Sequence, residues 1–258
     1  MFMILICCFV LVFAFVVLAL RDNRDRNMKK NFERYMQPKL EFKVVPASTT
    51  NKSARTIMLT GGNGFVGKCM VSQLIEKNLN VIVFDVMLPP EHLRSVHVTY
   101  VQGNLLNENH LSRVFQLHKT LGSEWKVHSV IHVAALIPYL GVPEEAIFAV
   151  NVHGTDKLLK LSASQEVKSF IYTSSATVVL ERHSYVADKV TEGLPFPVEH
   201  MDIYTKSKSI AERLVVAANS PHGMVTSILR PAAVFGKGEC VIYLQSTRQV
   251  RCISSNEV

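Results

Sequence analysis

Thr60-Gly61-Gly62-Asn63-Gly64-Phe65-Val66-Gly67 follows the apolar run Thr56-Ile57-Met58-Leu59 and opens a stretch with helical spacing. Its glycines at 61, 64 and 67 stand three apart. In a strand-to-helix turn of this kind the first glycine permits the tight reversal and the second lets backbone approach a pyrophosphate. The third lets the helix pack closely on the strand, so that the phosphates rest on a helix N-terminus opened by Phe65 and Val66. An ordinary glycine-rich turn has the same composition. The next apolar run, Val81-Ile82-Val83-Phe84, ends at Asp85. A carboxylate there accepts hydrogen bonds from the adenosine ribose hydroxyls and repels a 2′-phosphate. No Lys or Arg follows within several residues, so the pattern predicts NAD as cofactor in preference to NADP. A turn-capping Asp is the plainer alternative.

Outward from this turn, apolar runs at 56–60, 81–86, 96–101, 127–134, 169–173 and 225–229 have the length and density of buried parallel strands. Helical stretches fall near 65–77, 108–120, 143–165 and 203–218. Strand–helix alternation at this spacing predicts an α/β fold with a doubly wound parallel sheet and right-handed crossovers. Met87-Leu88-Pro89-Pro90 leaves little room for a full helix after the second strand. The segment from about Leu180 to Asp202 is long and irregular, and long ordered loops at the carboxyl edge of such a sheet are usually functional.

Tyr204-Thr205-Lys206-Ser207-Lys208 places a phenol and an ammonium four residues apart, on one face of a helix. Alone, the pair reads as an exposed Tyr and a solvated Lys on an amphipathic helix. Combined with the glycine turn it points to redox chemistry on a bound dinucleotide.

The first twenty residues, Met1 to Leu20, contain no charged side chain. A helix of that length spans roughly 30 Å, the thickness of a bilayer's hydrocarbon core. Arg21 to Lys30 follow as a basic flank, which predicts an uncleaved single-pass anchor with the rest of the chain in the cytosol. A cleaved signal peptide is the alternative, but the basic n-region is missing and the apolar run is long. The formal charge of +7 is mostly local: residues 21–55 hold ten Lys/Arg against four Asp/Glu. That excess suits anionic headgroups at a membrane surface and gives nucleic-acid binding little support. Five cysteines, at 7, 8, 69, 240 and 252, lack metal-ligand spacing. No metal site is expected, and a reduced compartment fits. The expected organisation is an anchor at 1–20, a basic linker at 21–55, one domain at 56–238 and a polar tail at 239–258.

Further strings complete the picture: Ile131-His132-Val133-Ala134-Ala135, Asn151-Val152-His153-Gly154-Thr155, Tyr172-Thr173-Ser174-Ser175-Ala176-Thr177 and Leu229-Arg230-Pro231-Ala232-Ala233-Val234-Phe235-Gly236. With the glycine turn and the Tyr204 string, in this order, the chain resembles an extended short-chain dehydrogenase/reductase of the 3β-hydroxysteroid dehydrogenase/isomerase family. Within that family it is most similar to the sterol 4α-carboxylate 3-dehydrogenases.

The resemblance implies NAD-dependent oxidation of a 3β-hydroxysteroid or sterol to the 3-ketone, with loss of CO2 where a 4α-carboxylate is present. Tyr204 would be the base, Lys208 would favour its phenolate and hold the nicotinamide ribose, and Ser175 would hydrogen-bond the reacting oxygen. Ser174 ranks second, and a turn cap is the plainer role for Ser175. Ala134 and Ala135 would let the cofactor lie against a strand end, and Pro231 would sit near the nicotinamide or simply end a strand. His132 is expected to be packed, and Asn151 to support the site or make an ordinary polar contact. Where the family commonly has Gly-Asp-Leu against adenine, this chain has Gly103-Asn104-Leu105, and an amide can still meet an adenine amino group. A sterol substrate, an endoplasmic-reticulum membrane and a homodimer are the implied partners and place.

After Gly238 only twenty residues remain where extended members continue into a substrate-covering region. Two further expectations therefore stand beside the dehydrogenase: a catalytically incompetent short form that binds NAD or partners, and a UDP-sugar epimerase or dehydratase with the same motifs.

Overall fold

The computed structural model describes residues 39–138, 142–181, 191–220, 222–232 and 234–236. The expected anchor at 1–20, the first part of the linker and the tail at 239–258 lie outside the described residues. Among the described residues no helix is long and apolar enough to cross a membrane.

Seven strands form one sheet: β1 (Lys43–Val45), β2 (Thr56–Thr60), β3 (Asn80–Asp85), β4 (Val98–Gln102), β5 (Val127–His132), β6 (Ser169–Thr173) and β7 (Val225–Leu229). Their order is β1-β4-β3-β2-β5-β6-β7. All pairs among β2 to β7 are parallel. The order runs outward in opposite directions from β2, so the crevice between the carboxyl ends of β2 and β5 is where a sheet of this kind receives a ligand. Six expected strands are present within two residues of their expected ends.

β1 was not expected. It pairs antiparallel with β4, Val44 opposite Val101, inside the stretch read as linker. The neighbouring chain is fastened as well: Ala47 N–H donates to Thr99 Oγ1 at 3.1 Å, and Phe42 lies under the Arg113 guanidinium at 4.1 Å. Three residues, one of them Lys43, are too few to carry a periodicity of their own; β1 takes its geometry from pairing along the edge of β4.

The helices are α1 (Phe65–Glu76), α2 (Glu108–Phe115), α3 (His118–Leu121), α4 (Glu144–Phe148), α5 (Thr155–Ser164) and α6 (Ile203–Ala217). Side chains alternate across the sheet with period two. Met58, Ile82, Phe84 and Val130 join Leu111, Leu158, Ala211 and Val215 in one core, under α2, α5 and α6. Leu59, Val81 and Val83 face the other way and join Val71 of α1. β2, the central strand, is buried along its whole length.

Two helices expected to be continuous are broken. The stretch 108–120 divides into α2 and α3 around Gln116. Between α4 and α5 the chain widens into a π-helical turn, Ala149–Gly154. Such turns inside helices gather at functional sites, and this one carries Asn151.

Candidate active site

The glycine turn closes as its spacing requires. Gly61 adopts φ +69, in the left-handed region, and a Cβ there would meet Ala134 Cα at 2.8 Å. Gly67 is tighter: a Cβ on it would lie inside the van der Waals shell of the Gly61 carbonyl oxygen. Strand, turn and helix therefore approach more closely than any side chain allows. α1 begins at Phe65 with Gly64 at its N-cap and no side-chain cap. Its first-turn N–H groups and positive dipole end are left to be satisfied from outside, as an anion would satisfy them.

Asp85 ends β3 beside this turn. Its carboxylate accepts from Asn63 N–H at 3.0 Å and from Met87 N–H at 3.3 Å. Burial holds its pKa above the usual carboxylate value, and the backbone donors oppose that shift. Ala134 and Ala135 are half-buried just past the end of β5, and Ala134 N–H donates to Thr60 Oγ1 at 3.2 Å. Asn104 is buried and its Oδ1 accepts from Leu106 N–H at 2.9 Å. Leu105 belongs to the core beneath β4 and touches the position where a Cβ on Gly154 would stand, at 3.2 Å.

α6 carries the phenol and the ammonium. Asp202 caps it, accepting from Thr205 N–H at 2.7 Å. Lys208 is buried; its Nζ donates to the Thr173 carbonyl at 2.7 Å and stands over the Tyr172 ring at 4.8 Å. Burial pulls the Lys208 ammonium down to about 7. Burial, with the Asp202 carboxylate as a lesser cause, pushes the Tyr204 phenol up to about 12. The expected depression of Tyr204 by Lys208 is absent from this arrangement. The reason is geometric: the ammonium is committed to Thr173 and the Tyr172 face, 5.9 Å from the Tyr204 ring centre.

Ser174 and Ser175 separate clearly. Ser174 is buried and gives its hydroxyl proton to Glu212 Oε2 at 2.6 Å. Ser175 is half-buried, accepts from Thr177 N–H at 3.2 Å and shares a hydrogen bond with Thr177 Oγ1 at 2.8 Å. It caps a short turn, as its plainer role required, and of the two residues it alone is not buried. The Pro231 carbonyl accepts from Ala176 N–H at 2.9 Å, which brings the ends of β6 and β7 together.

His132 is packed. Nδ1 pairs with Thr60 Oγ1 at 2.6 Å and Nε2 with Thr155 Oγ1 at 2.9 Å. Full burial, with Lys208 nearby, lowers its pKa to about 3, so it is neutral throughout the physiological range. Asn151 accepts from Leu136 N–H at 2.7 Å, donates to Leu136 O at 2.9 Å and donates to Ser207 Oγ at 3.0 Å. It thereby couples the chain after β5 to α6, one residue from Lys208. Among the described residues no cluster of His, Cys, Asp or Glu is placed to hold a metal ion.

The model of the 3-beta hydroxysteroid dehydrogenase/isomerase family matches residues 58–255. The chain belongs to this family. The match extends into the tail that the sequence motifs had set apart. A sterol-4-alpha-carboxylate 3-dehydrogenase (decarboxylating) of Candida albicans is 31% identical over 197 residues, covering 73% of this chain and 53% of its own. A 3-beta-hydroxysteroid dehydrogenase of Mycolicibacterium neoaurum is 32% identical over 193 residues, covering 72% and 50%. Among solved structures, a short-chain dehydrogenase/reductase superfamily protein of Agrobacterium tumefaciens with bound NAD is 28% identical. It superposes with a TM-score of 0.56 over 68% of this chain and 48% of its own. The chain spans about half the length of the curated relatives it matches.

Glu212 lies outside the sequence motifs, and Arg230 lies inside one without a role assigned to it. The fold brings the two into contact beside the site, and the π-helical turn under Asn151 carried no sequence signal. Glu212 stands four residues beyond Lys208 on the same helix, a spacing that could have marked it.

Proposed function

We propose that this protein is an NAD-dependent oxidoreductase that converts a 3β-hydroxysteroid or sterol into its 3-ketone. The observation that carries the reading is the approach of three backbone segments at Gly61, Gly67 and Ala134, closer than a Cβ permits, with Lys208 buried at the neighbouring strand end. This arrangement fits a dinucleotide. The uncapped start of α1 would take the pyrophosphate, Asp85 the adenosine ribose, and Ala134 and Ala135 the flat passage across β5. Lys208 would hold the nicotinamide ribose, with Pro231 beside the ring.

When bound, NAD supplies a hydride acceptor. The chain's own residues then handle the proton and the oxygen. Ser175 would hold the C3 oxygen, and Tyr204 would take the hydroxyl proton as the C3–H pair of electrons leaves, so that the carbon–oxygen double bond forms with charge balanced. A phenol near 12 is a poor base at neutral pH. Lys208 turned toward a ribose between itself and the phenol would put positive charge where the phenolate develops. If the substrate carries a 4α-carboxylate, the 3-ketone makes it a β-keto acid, which loses CO2 without further help from the protein.

We further read residues 1–20 as a bilayer anchor with the domain on the cytosolic side, which would deliver a membrane-dissolved sterol to the site. Endoplasmic reticulum and homodimer are part of the same proposal.

A sterol deuterated at C3 tests the reaction. Deuterium appearing on the nicotinamide, with turnover slowed relative to the unlabelled sterol, supports it. Reduction of NAD without transfer of that label would overturn it.

A further inference from the structure

Tyr204, Lys208 and Glu212 stand at successive four-residue steps along α6, so one helix face carries phenol, ammonium and carboxylate. Glu212 is buried beneath the site. Its Oε2 accepts from Ser174 Oγ at 2.6 Å and from Arg230 Nε at 3.2 Å. Its Oε1 accepts from Arg230 Nε at 3.1 Å and from Nη2 at 2.5 Å. Arg230 has further engagements. Nη1 donates to the Glu192 carbonyl at 3.1 Å, and the guanidinium faces the Phe196 ring at 5.6 Å. Arg213 approaches the same ring at 4.8 Å.

Each member of this cluster adjoins a residue assigned to the chemistry. Ser174 precedes Ser175, Glu212 lies one turn beyond Lys208, and Arg230 precedes Pro231. Two backbone bonds complete the join: Ser174 N–H to Leu229 O at 2.7 Å and Ala176 N–H to Pro231 O at 2.9 Å. A buried ion pair is a weak source of stability, because desolvation offsets the Coulomb attraction and an apolar pair of similar volume serves as well. A forked guanidinium on a carboxylate gives geometry instead, since two parallel hydrogen bonds fix both distance and orientation.

We infer that Glu212 and Arg230 are positioning residues. Their ion pair is a clasp that holds the Ser175 turn, the Tyr204–Lys208 helix and the Pro231 strand end in one register. Through Glu192 and Phe196 it also ties the segment leading into α6. Its effect on turnover rests on the proposed oxidoreductase reading; its effect on the backbone does not.

The double variant Glu212→Leu/Arg230→Met removes both charges together and so leaves no uncompensated ion in the interior. It is expected to unfold at a temperature close to wild type and to keep binding NAD, because Gly61, Gly67 and Asp85 make no contact with the clasp. The loss of affinity is confined to what the nicotinamide end contributes through Lys208 and Pro231. Turnover should fall about a hundredfold, the cost of a misplacement near 1 Å. The amides of Ser174 and Ala176 should exchange with deuterated water faster than in wild type while those of β2 and β3 do not. Arg230→Lys should fail to restore turnover, because one ammonium cannot span both carboxylate oxygens and the Glu192 carbonyl. The isosteric Glu212→Gln is the second arm and should show the same local exchange. Wild-type turnover and unchanged exchange at Ser174 and Ala176 in a folded variant would overturn the clasp. If wild type itself does not reduce NAD, the proposed function fails, and amide exchange still decides the clasp.

Discussion

The Lys208 ammonium lies 5.9 Å from the centre of the Tyr204 ring and donates a hydrogen bond to the Thr173 carbonyl at 2.7 Å. Lys208 is buried and Tyr204 half-buried, and the loss of water moves them in opposite directions: the ammonium down to about 7 and the phenol up to about 12. The sign of each follows from which form is charged. Water loss penalises the protonated lysine and the deprotonated tyrosine alike.

This makes the fold's stability depend on pH in a defined window. Below about 7 Lys208 carries its proton in folded and unfolded chains, and the full penalty of a buried ammonium is present. As pH rises from about 7 toward 10.5 the folded chain releases that proton first and stability increases, by at most about 1.4 kcal/mol per pH unit. Between 10 and about 12 Tyr204 acts with the opposite sign: the unfolded phenol ionises first and stability falls. Melting temperatures of wild type and Lys208→Met across neutral to alkaline pH should therefore converge as pH rises toward 10. A constant difference between the two curves would contradict the buried ammonium.

Gly67 offers a test of the cradle. In the first turn of a helix, Ala in place of Gly should stabilise by up to about 1 kcal/mol. Here the added Cβ would overlap the Gly61 carbonyl oxygen, which is backbone and cannot swing aside. Overpacking of this kind costs about 1–3 kcal/mol, so the clash should win. Gly67→Ala is expected to lower the urea midpoint and to abolish NAD binding; a raised midpoint would mean the turn is looser than described.

Asp85 separates cofactor choice from stability. Its pKa is raised by burial, with the Asn63 and Met87 backbone donors opposing the shift. Asp85→Ser should leave the melting temperature near wild type, weaken NAD by about tenfold, the scale of one hydrogen bond to a charged group, and narrow the preference over NADP. Equilibrium titration with both dinucleotides measures this. Unchanged NAD affinity would make Asp85 a turn residue only.

Tyr172 carries a hydroxyl that is buried with no hydrogen-bond partner among the described residues, while its ring supports Lys208. Tyr172→Phe keeps the ring and removes the orphan. It should raise stability by about 1 kcal/mol, a rise of roughly 2–4 °C in melting temperature. A fall would reveal a partner for that hydroxyl.

Much of this was legible in the chain because the signals were local. Six parallel strands announce themselves as dense apolar runs, and the glycine turn, Asp85, Tyr204 and Lys208 sit at spacings that a strand or a helix turn imposes. β1 was not legible, because three residues are too short for a pattern and acquire strand geometry only from β4. The π-helical turn was hidden for a related reason: Asn151 needs the Leu136 backbone and Ser207, both remote in sequence, to widen the helix. Glu212 and Arg230 are eighteen residues apart and meet only when β7 lies beside β6. Helix spacing fixes that Tyr204 and Lys208 share a face but not which acceptor the lysine's N–H meets, so the Thr173 carbonyl as its partner was not legible.

The most direct test incubates the detergent-solubilised chain with NAD and a 3β-hydroxysterol, following the absorbance of reduced nicotinamide beside Tyr204→Phe. The proposed mechanism requires NAD reduction by wild type and loss of it in the variant, since the ring remains but no group is left to take the hydroxyl proton. Equal rates in both proteins, or NAD binding without reduction by wild type, would contradict it.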